Sequence, residues 1–264
     1  MKLRVGLTTA RREALGGGFV ALRRDDGSSD VELPDMADYG VTAAMTSSSF
    51  DAREDAALRS FIDRRGYADP NALCQVNQVH GATLLPAEKI LSERMDGDGL
   101  WTQAPGRVLA IRSADCAVLW LVDPSSQTLA MAHAGWQGVA AGIVAAAVRA
   151  VQRSAGDSGR VRVAIGPHLG PCCFEIGPEV AARFSRCADA LAPGATLRVQ
   201  RRRDDSVALD LSKVILADLA AVGVPKASVE VCRACTRCRG DLFHSYRRNG
   251  PGGPLMASLG FIAG

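Results

Sequence analysis

Residues 108–139 read VLAIRSADCAVLWLVDPSSQTLAMAHAGWQGV, and the architecture is organised around them. Two apolar runs, 117–122 and 127–132, flank an Asp-Pro-Ser-Ser segment, the composition of two strands joined by a four-residue turn. A hairpin centred between Pro124 and Ser125 opposes residues whose numbers sum to 249, and Cys116 and His133 satisfy that sum. Directly opposed side chains share a face with Cβ atoms roughly 4.5 to 5.5 Å apart. That separation lets a thiolate and an imidazole hold one metal ion through bonds of about 2.0 to 2.3 Å, and it equally suits a Cys–His nucleophile pair. Both residues stand at strand ends, Cys116 after Ser-Ala-Asp and His133 before a Gly-bearing turn, where sites are commonly built. The plain alternative is a buried thiol packed as a small hydrophobe.

Upstream, residues 73–79 (LCQVNQV) alternate apolar and polar like a half-buried strand and deliver His80, followed by Gly81, to the far end. His80 is thus a third candidate ligand, with a surface histidine as its alternative. The acidic DGDG at 96–99 lacks the EF-hand spacing and reads as a turn feeding a strand at 108–111. Residues 51–65 have helical spacing of Ala57, Leu58, Phe61 and Ile62, with Asp51 as N-cap and Glu54 three positions on. Residues 2–8 alternate weakly as a strand, and 9–29, rich in Gly, Arg and Asp, read as irregular.

Downstream of His133, one helix is expected from Gly138 to just before Gly156, with Val139, Ile143, Val144, Ala147 and Val151 along one face. A strand at 161–165 then enters GPHLGPCCFEIGPEV, a Gly- and Pro-rich loop. For its neighbours Cys172 and Cys173, metal binding is one reading and packing beneath the site the preferred one, because adjacent side chains converge poorly on one ion. Helices at 178–187 and 211–222 and strands at 208–211 and 229–231 follow. Cys232, Cys235 and Cys238 have the two-residue gaps of a zinc ribbon or an iron–sulfur run, with His244 within reach as a fourth ligand. Tyr246-Arg247-Arg248 sets two guanidiniums beside an aromatic ring, a combination suited to phosphate or ribose contacts.

The chain of 264 residues is long enough to bury a substantial core. Its net charge of +3 is small and dispersed, and the one basic cluster, Arg201-Arg202-Arg203, is balanced at once by Asp204 and Asp205, so nucleic-acid binding is unsupported. No run approaches a membrane span, and residues 1–13 lack an apolar stretch long enough for a signal peptide, which makes a cytoplasmic protein the default. Eight cysteines in such a chain argue for reduced, in part metal-binding, thiols rather than a disulfide framework.

Five motifs in order, QVHG at 78–81, SADC at 113–116, HAGWQG at 133–138, GPCCFEIG at 170–177 and CT followed by LFHSYRR up to Arg248, resemble the laccase-domain family. That family was long labelled multicopper polyphenol oxidase and is now regarded as zinc-dependent purine nucleoside phosphorylases that also deaminate adenosine. The resemblance runs from Leu73 to the C-terminus. It implies one α/β (α+β) domain over residues 1–264, with layered mixed sheets flanked by helices. It implies His80, Cys116 and His133 as metal ligands, the same three that the strand-end reading selects, and a purine nucleoside and phosphate as substrates. Three protein ligands leave a fourth tetrahedral position open, as in catalytic zinc sites. Arg247 and Arg248 are candidate phosphate or nucleoside contacts, and Asp115 is a candidate supporting or acid/base group beside Cys116 and His133. The sequence departs from the family at Gln137, usually Arg, and at Asn249-Gly-Pro-Gly-Gly-Pro, where a TGR-like segment is usual; the family's N-terminal features are not recognisable between Leu15 and Phe50. Copper is less suited than zinc, since only four histidines exist. The rival readings are a cysteine hydrolase acting on cell-wall precursors with Cys116 as nucleophile and His133 as base, a copper polyphenol oxidase, and a non-catalytic metal-binding protein.

Overall fold

The computed structural model describes residues 10–90, 94–152, 158–188, 199–201 and 207–263. The strand expected at 2–8 and the balance of Arg202 and Arg203 by Asp204 and Asp205 lie outside them. In chain order the strands are β1 (Ala10–Gly16), β2 (Phe19–Arg24), β3 (Ser29–Glu32), β4 (Val41–Thr46), β5 (Leu73–Cys74), β6 (Leu84–Pro86), β7 (Gly99–Thr102) and β8 (Val108–Ser113). There follow β9 (Ala117–Asp123), β10 (Thr128–Ala134), β11 (Arg162–Ile165), β12 (Glu175–Ile176), β13 (Val199–Arg201), β14 (Val207–Leu209), β15 (Val229–Val231) and β16 (Met256–Ile262). The helices are α1 (Asp55–Arg65), α2 (Trp136–Ala140), α3 (Ile143–Gln152), α4 (Pro178–Ala188), α5 (Leu211–Ala221) and the single turn α6 (Tyr246–Asn249).

One sheet runs β1-β2-β3-β4-β16-β8-β5, a second β15-β11-β9-β10-β7-β6, and β12-β14-β13 form a small third. The alternation of side chains along the central strands sets the layers. Val118, Trp120 and Val122 of β9 and Leu129 and Met131 of β10 pack between the two large sheets with Leu109 and Ile111 of β8 and Met45 of β4. The opposite faces of β9 and β10, Ala117, Leu119, Leu121, Ala130 and Ala132, lie under α3 and α5. The outer face of the first sheet, Val108, Ala110, Leu259 and Phe261, is covered by Leu58, Phe61 and Ile62 of α1. Strands buried on both faces read as continuous apolar runs, which explains the unalternating AVLWLV at 117–122. Mixed α/β architecture with layered sheets and flanking helices is therefore what the residues build.

The decisive hairpin forms, with a different register. Opposed residues, from Asp123 with Thr128 to Ala117 with Ala134, have numbers that sum to 251 rather than 249. Asp123 stays in the strand because its carboxylate accepts hydrogen bonds from Ser125 N and the Ser125 and Ser126 hydroxyls. Gln127, with φ of 48°, closes the loop at 124–127. A slip of two residues leaves every side chain on the face it would otherwise occupy. His133 consequently opposes Val118, and Cys116 lies just before β9, outside the ladder.

Other expectations are corrected. Residues 9–29, read as irregular, contain the antiparallel pair β1 and β2, since the Gly cluster at 16–18 is its turn. The helix expected from Gly138 is two helices, interrupted at Gly142 with φ of 93°. Asp51 does not cap α1; its carboxylate accepts from Arg53 N and Leu255 N, and the helix starts at Asp55. Only Leu73 and Cys74 of the strand expected at 73–79 pair in a sheet. Beyond them the Gln78 side chain takes the place of a ladder strand, donating to Arg112 O at 2.7 Å and accepting from Arg112 N at 2.8 Å.

Trp120 crosses the sandwich: its indole N–H donates to Leu259 O of β16 at 3.0 Å, and Phe19 meets its ring edge-on at 6.1 Å. Trp120→Phe removes that donor and leaves a void in a close-packed layer. A loss of about 2 kcal/mol is expected, measurable as a lower denaturation midpoint with an unchanged m-value.

Candidate metal centre and its cleft

His80, Cys116 and His133 converge at one end of the sandwich, with their ligand atoms all within 4.8 Å of one another. The imidazoles of His80 and His133 meet edge to face with centroids 4.8 Å apart. His133 comes from β10, Cys116 from the link between β8 and β9, and His80 from the segment leading to β6. His80 has φ of 60° and Asp115 φ of 89°, left-handed conformations uncommon for residues with a Cβ and frequent where a site imposes backbone strain.

Asp98 organises the trio, and the sequence reading took it for part of a turn. Its buried carboxylate accepts from His133 Nδ1 at 2.9 Å, from His80 N at 2.9 Å and from Gly81 N at 2.6 Å. A single carboxylate thus holds the His80 loop and the His133 ring together, leaving His133 Nε2 for the face shared with Cys116. This is the usual carboxylate–histidine support of a metal ligand. The only signal in the sequence was an aspartate between two glycines just before an apolar run. That run is β7, which pairs with β10 and β6 and so brings Asp98 beneath His133; DGDG does not feed β8.

Burial alone would raise the Cys116 thiol, but hydrogen bonds and charge from His133 and His80 outweigh it and bring it down to about 7. Burial likewise disfavours a charged His133, yet Asp98 and the Cys116 sulfur raise it to about 9. Asp98 is held below the usual carboxylate range: burial opposes this, and His133 and the Gly81 and His80 amides overcome it. A thiolate, two imidazoles and a supporting carboxylate form a donor set that fits a thiophilic, nitrogen-accepting divalent cation. Gly135 keeps the trio accessible: a Cβ there would stand 2.9 Å from Cys116 Sγ and 3.3 Å from His80 Cδ2. Gly135→Ala is accordingly expected to weaken metal binding about tenfold by pushing two ligands off position, read by competition with a chromophoric chelator.

The trio lies in a cleft of about 840 Å³, within the range for small-molecule sites. Trp136, Leu169, Phe174 and Tyr246 supply apolar and aromatic wall; Arg94, Arg112 and Arg247 supply cations; Gln137 stands where the family usually has Arg. Arg112 donates to Ala52 O at 2.6 Å and Asp55 Oδ1 at 2.5 Å, and Arg94 also pairs with Asp55. Neither arginine stood out in the sequence, where both are single charges in unremarkable segments.

Asp115 lines the cleft, but both carboxylate oxygens are occupied. Oδ1 accepts from Thr236 Oγ1 at 2.5 Å, and Oδ2 accepts from Ser245 Oγ at 3.0 Å and Arg247 N at 2.7 Å. The expected pair Arg247 and Arg248 separates. Arg247 borders the cleft, its guanidinium donating to Cys173 O and Glu175 O and lying 5.8 Å over the Phe174 ring. Arg248 is not among the lining residues and donates to the carbonyls of Thr236, Arg237 and Phe243. The remaining histidines lie outside the trio: His168 Nδ1 contacts Gly166 O at 2.8 Å, and His244 Nε2 contacts Phe50 O at 3.1 Å.

The family model described as multi-copper polyphenol oxidoreductase laccase matches residues 43–261. The chain belongs to this laccase family. The match begins in β4, upstream of the point from which the motifs alone carried the resemblance. Among laccase-family relatives, the purine nucleoside phosphorylase YlmD of Geobacillus stearothermophilus is 35% identical over 69% of this chain and 70% of its own. Adenosine deaminase RL5, from an unknown prokaryotic organism, is 33% identical over 58% of this chain and 57% of its own. The crystal structure of YlmD superposes with a TM-score of 0.79 at 26% identity, covering 97% of this chain and 99% of that one.

Proposed function

We propose that this laccase-family chain is a zinc-dependent purine nucleoside phosphorylase that also deaminates adenosine. The observation that carries the reading is a catalytic-type donor trio on the wall of a cleft large enough for a nucleoside. The names of the relatives, purine nucleoside phosphorylase and adenosine deaminase, supply the reaction classes. A cysteine hydrolase needs one imidazole beside its nucleophile; the second imidazole, His80, and the support of both histidines by Asp98 favour metal binding. A multicopper cluster needs more ligands than two histidines and one cysteine, and His168 and His244 are committed to backbone carbonyls elsewhere.

His80, Cys116 and His133 would hold the zinc ion, which when bound supplies Lewis-acid chemistry. Asp98 keeps a proton on His133 Nδ1 and fixes the ring. Trp136 and Phe174 flank the purine and exclude water from its faces, as flat apolar walls do. Arg247 on the rim contacts phosphate or ribose, with its main chain anchored by Asp115. Asp115 is therefore a positioning group, and Arg248 supports the loop from which Arg247 projects. No helix among the described residues is long and apolar enough to cross a membrane.

The test is product chromatography after incubation with adenosine, inosine or methylthioadenosine, with and without phosphate. Phosphate-dependent release of free base, together with phosphate-independent conversion of adenosine to inosine, is expected. Silence towards all three nucleosides from protein holding one zinc at the trio would refute the proposal.

A further inference from the structure

The CRACTRC segment does not form the site its spacing suggests. Cys232 is buried in the core, with its thiol pushed up to about 12 by burial, and His244 is bound to Phe50 O. Instead Cys235 and Cys238 join Cys172 and Cys173, the vicinal pair for which the sequence favours packing beneath the site over metal binding. All four sulfurs lie within 4.8 Å of one another. Cys238 Sγ is 3.6 Å from Cys172 Sγ and 3.4 Å from Cys173 Sγ. Four sulfurs at about 2.3 Å from a common tetrahedral centre stand about 3.8 Å apart, close to this spacing, whereas a disulfide requires about 2.05 Å. The turn made by Cys173 N and Phe174 N donating to Gly170 O lets neighbouring residues reach one point.

Two further observations set this cluster apart from packed thiols. Cys172 and Cys238 are exposed, so they fill no core. The sulfur of Cys235 accepts the amide of Gly170 at 3.3 Å, and the backbone of Arg237 and Cys238 hydrogen-bonds to it as well. Amide donors converging on the first sulfur of a Cys-x-x-Cys turn favour a thiolate ligand. Four sulfurs leave no open coordination position, the arrangement of a structural rather than a catalytic zinc.

We propose that Cys172, Cys173, Cys235 and Cys238 form a second metal site, a closed tetrathiolate that holds a zinc ion and clamps a loop that walls the cleft to a neighbouring loop. One loop carries Leu169 and Phe174. The other carries Thr236, whose hydroxyl holds Asp115 and whose amide donates to His168 O at 3.0 Å. The clamp ties positions 65 residues apart in the chain, so the metal restricts the unfolded chain as a long cross-link does. This inference does not depend on the activity assigned to the first site.

Metal analysis separates the two centres. Wild-type protein purified without chelator is expected to hold two zinc ions per chain. The His80→Ala/His133→Ala protein should keep one, and Cys172→Ser/Cys238→Ser, at two exposed positions, should lose one and unfold at lower temperature. With Co2+ replacing zinc, His80→Ala/His133→Ala should show the intense charge-transfer bands of four thiolates, and further substitution of Cys238→Ser should remove them. In that same double variant the four thiols should resist alkylation until chelator is added. A double variant free of metal, with these cysteines alkylated at once or joined as a disulfide, would overturn the proposal; bound iron in place of zinc would overturn its assignment of the metal.

Discussion

Cys116→Ala should remove one equivalent of zinc and nearly all nucleoside turnover together. The substitution deletes one of three ligands and leaves two imidazoles, too few to retain an ion at neutral pH without help. The Lewis-acid contribution lost with it is several kcal/mol, so turnover should fall on the order of a thousandfold or more. The fold should persist, because Cys116 precedes β9 and is partly exposed rather than part of a packed layer. Circular dichroism and the denaturation midpoint check that point; zinc content and initial rates check the chemistry. A variant that keeps its rate while losing the metal would sink the metal-centred reading. Iodoacetamide provides a second arm: if Cys116 were a nucleophile independent of metal, its alkylation in the wild-type protein would be unchanged by chelation, whereas a zinc-bound sulfur is shielded until the chelator is added.

Asp98→Ala touches neither substrate nor metal and should still be severe. It removes the acceptor for His133 Nδ1 and for the His80 and Gly81 amides at once. Loss of a carboxylate supporting a ligating histidine typically costs 10 to 100-fold in metal affinity, and a loss near the upper end of that range is expected because two ligands depend on this one group. The buried donors left unpaired should destabilise the protein by about 3 kcal/mol. Asp98→Asn keeps the shape and one acceptor oxygen but offers His133 Nδ1 a weaker or reversed bond, so it should fall between. A zinc affinity unchanged in Asp98→Ala, measured by chelator competition, would show that the trio is held by packing alone.

Local patterns were informative wherever chemistry was tied to sequence neighbours. The turn-flanked apolar runs located β9 and β10, helical spacing located α4 and α5, and strand-end placement selected His80, Cys116 and His133. The exact register was not legible, because it depends on where Asp123 and the Ser hydroxyls close the loop. Residues 10–24 misled because a Gly-rich turn inside a hairpin has the composition of a loop. Arg94 and Arg112 carried no local signal, and Asp98 only its place between two glycines before an apolar run; each matters through partners distant in the chain.

The amino-acid sequence by itself determined that β9 and β10 form as apolar strands joined by a polar turn, and it picked out His80, Cys116 and His133 as candidate metal-ligand types. These properties arise from side-chain period and residue chemistry, which act over a few positions. Only the tertiary structure decided that Asp98 holds both His80 and His133, that Arg247 borders the cleft while Arg248 braces a loop, and that Cys235 and Cys238 meet Cys172 and Cys173 rather than Cys232. Those pairings arise when sheets stack and loops cross, and no short-range pattern encodes the distance between segments that first meet in the folded chain.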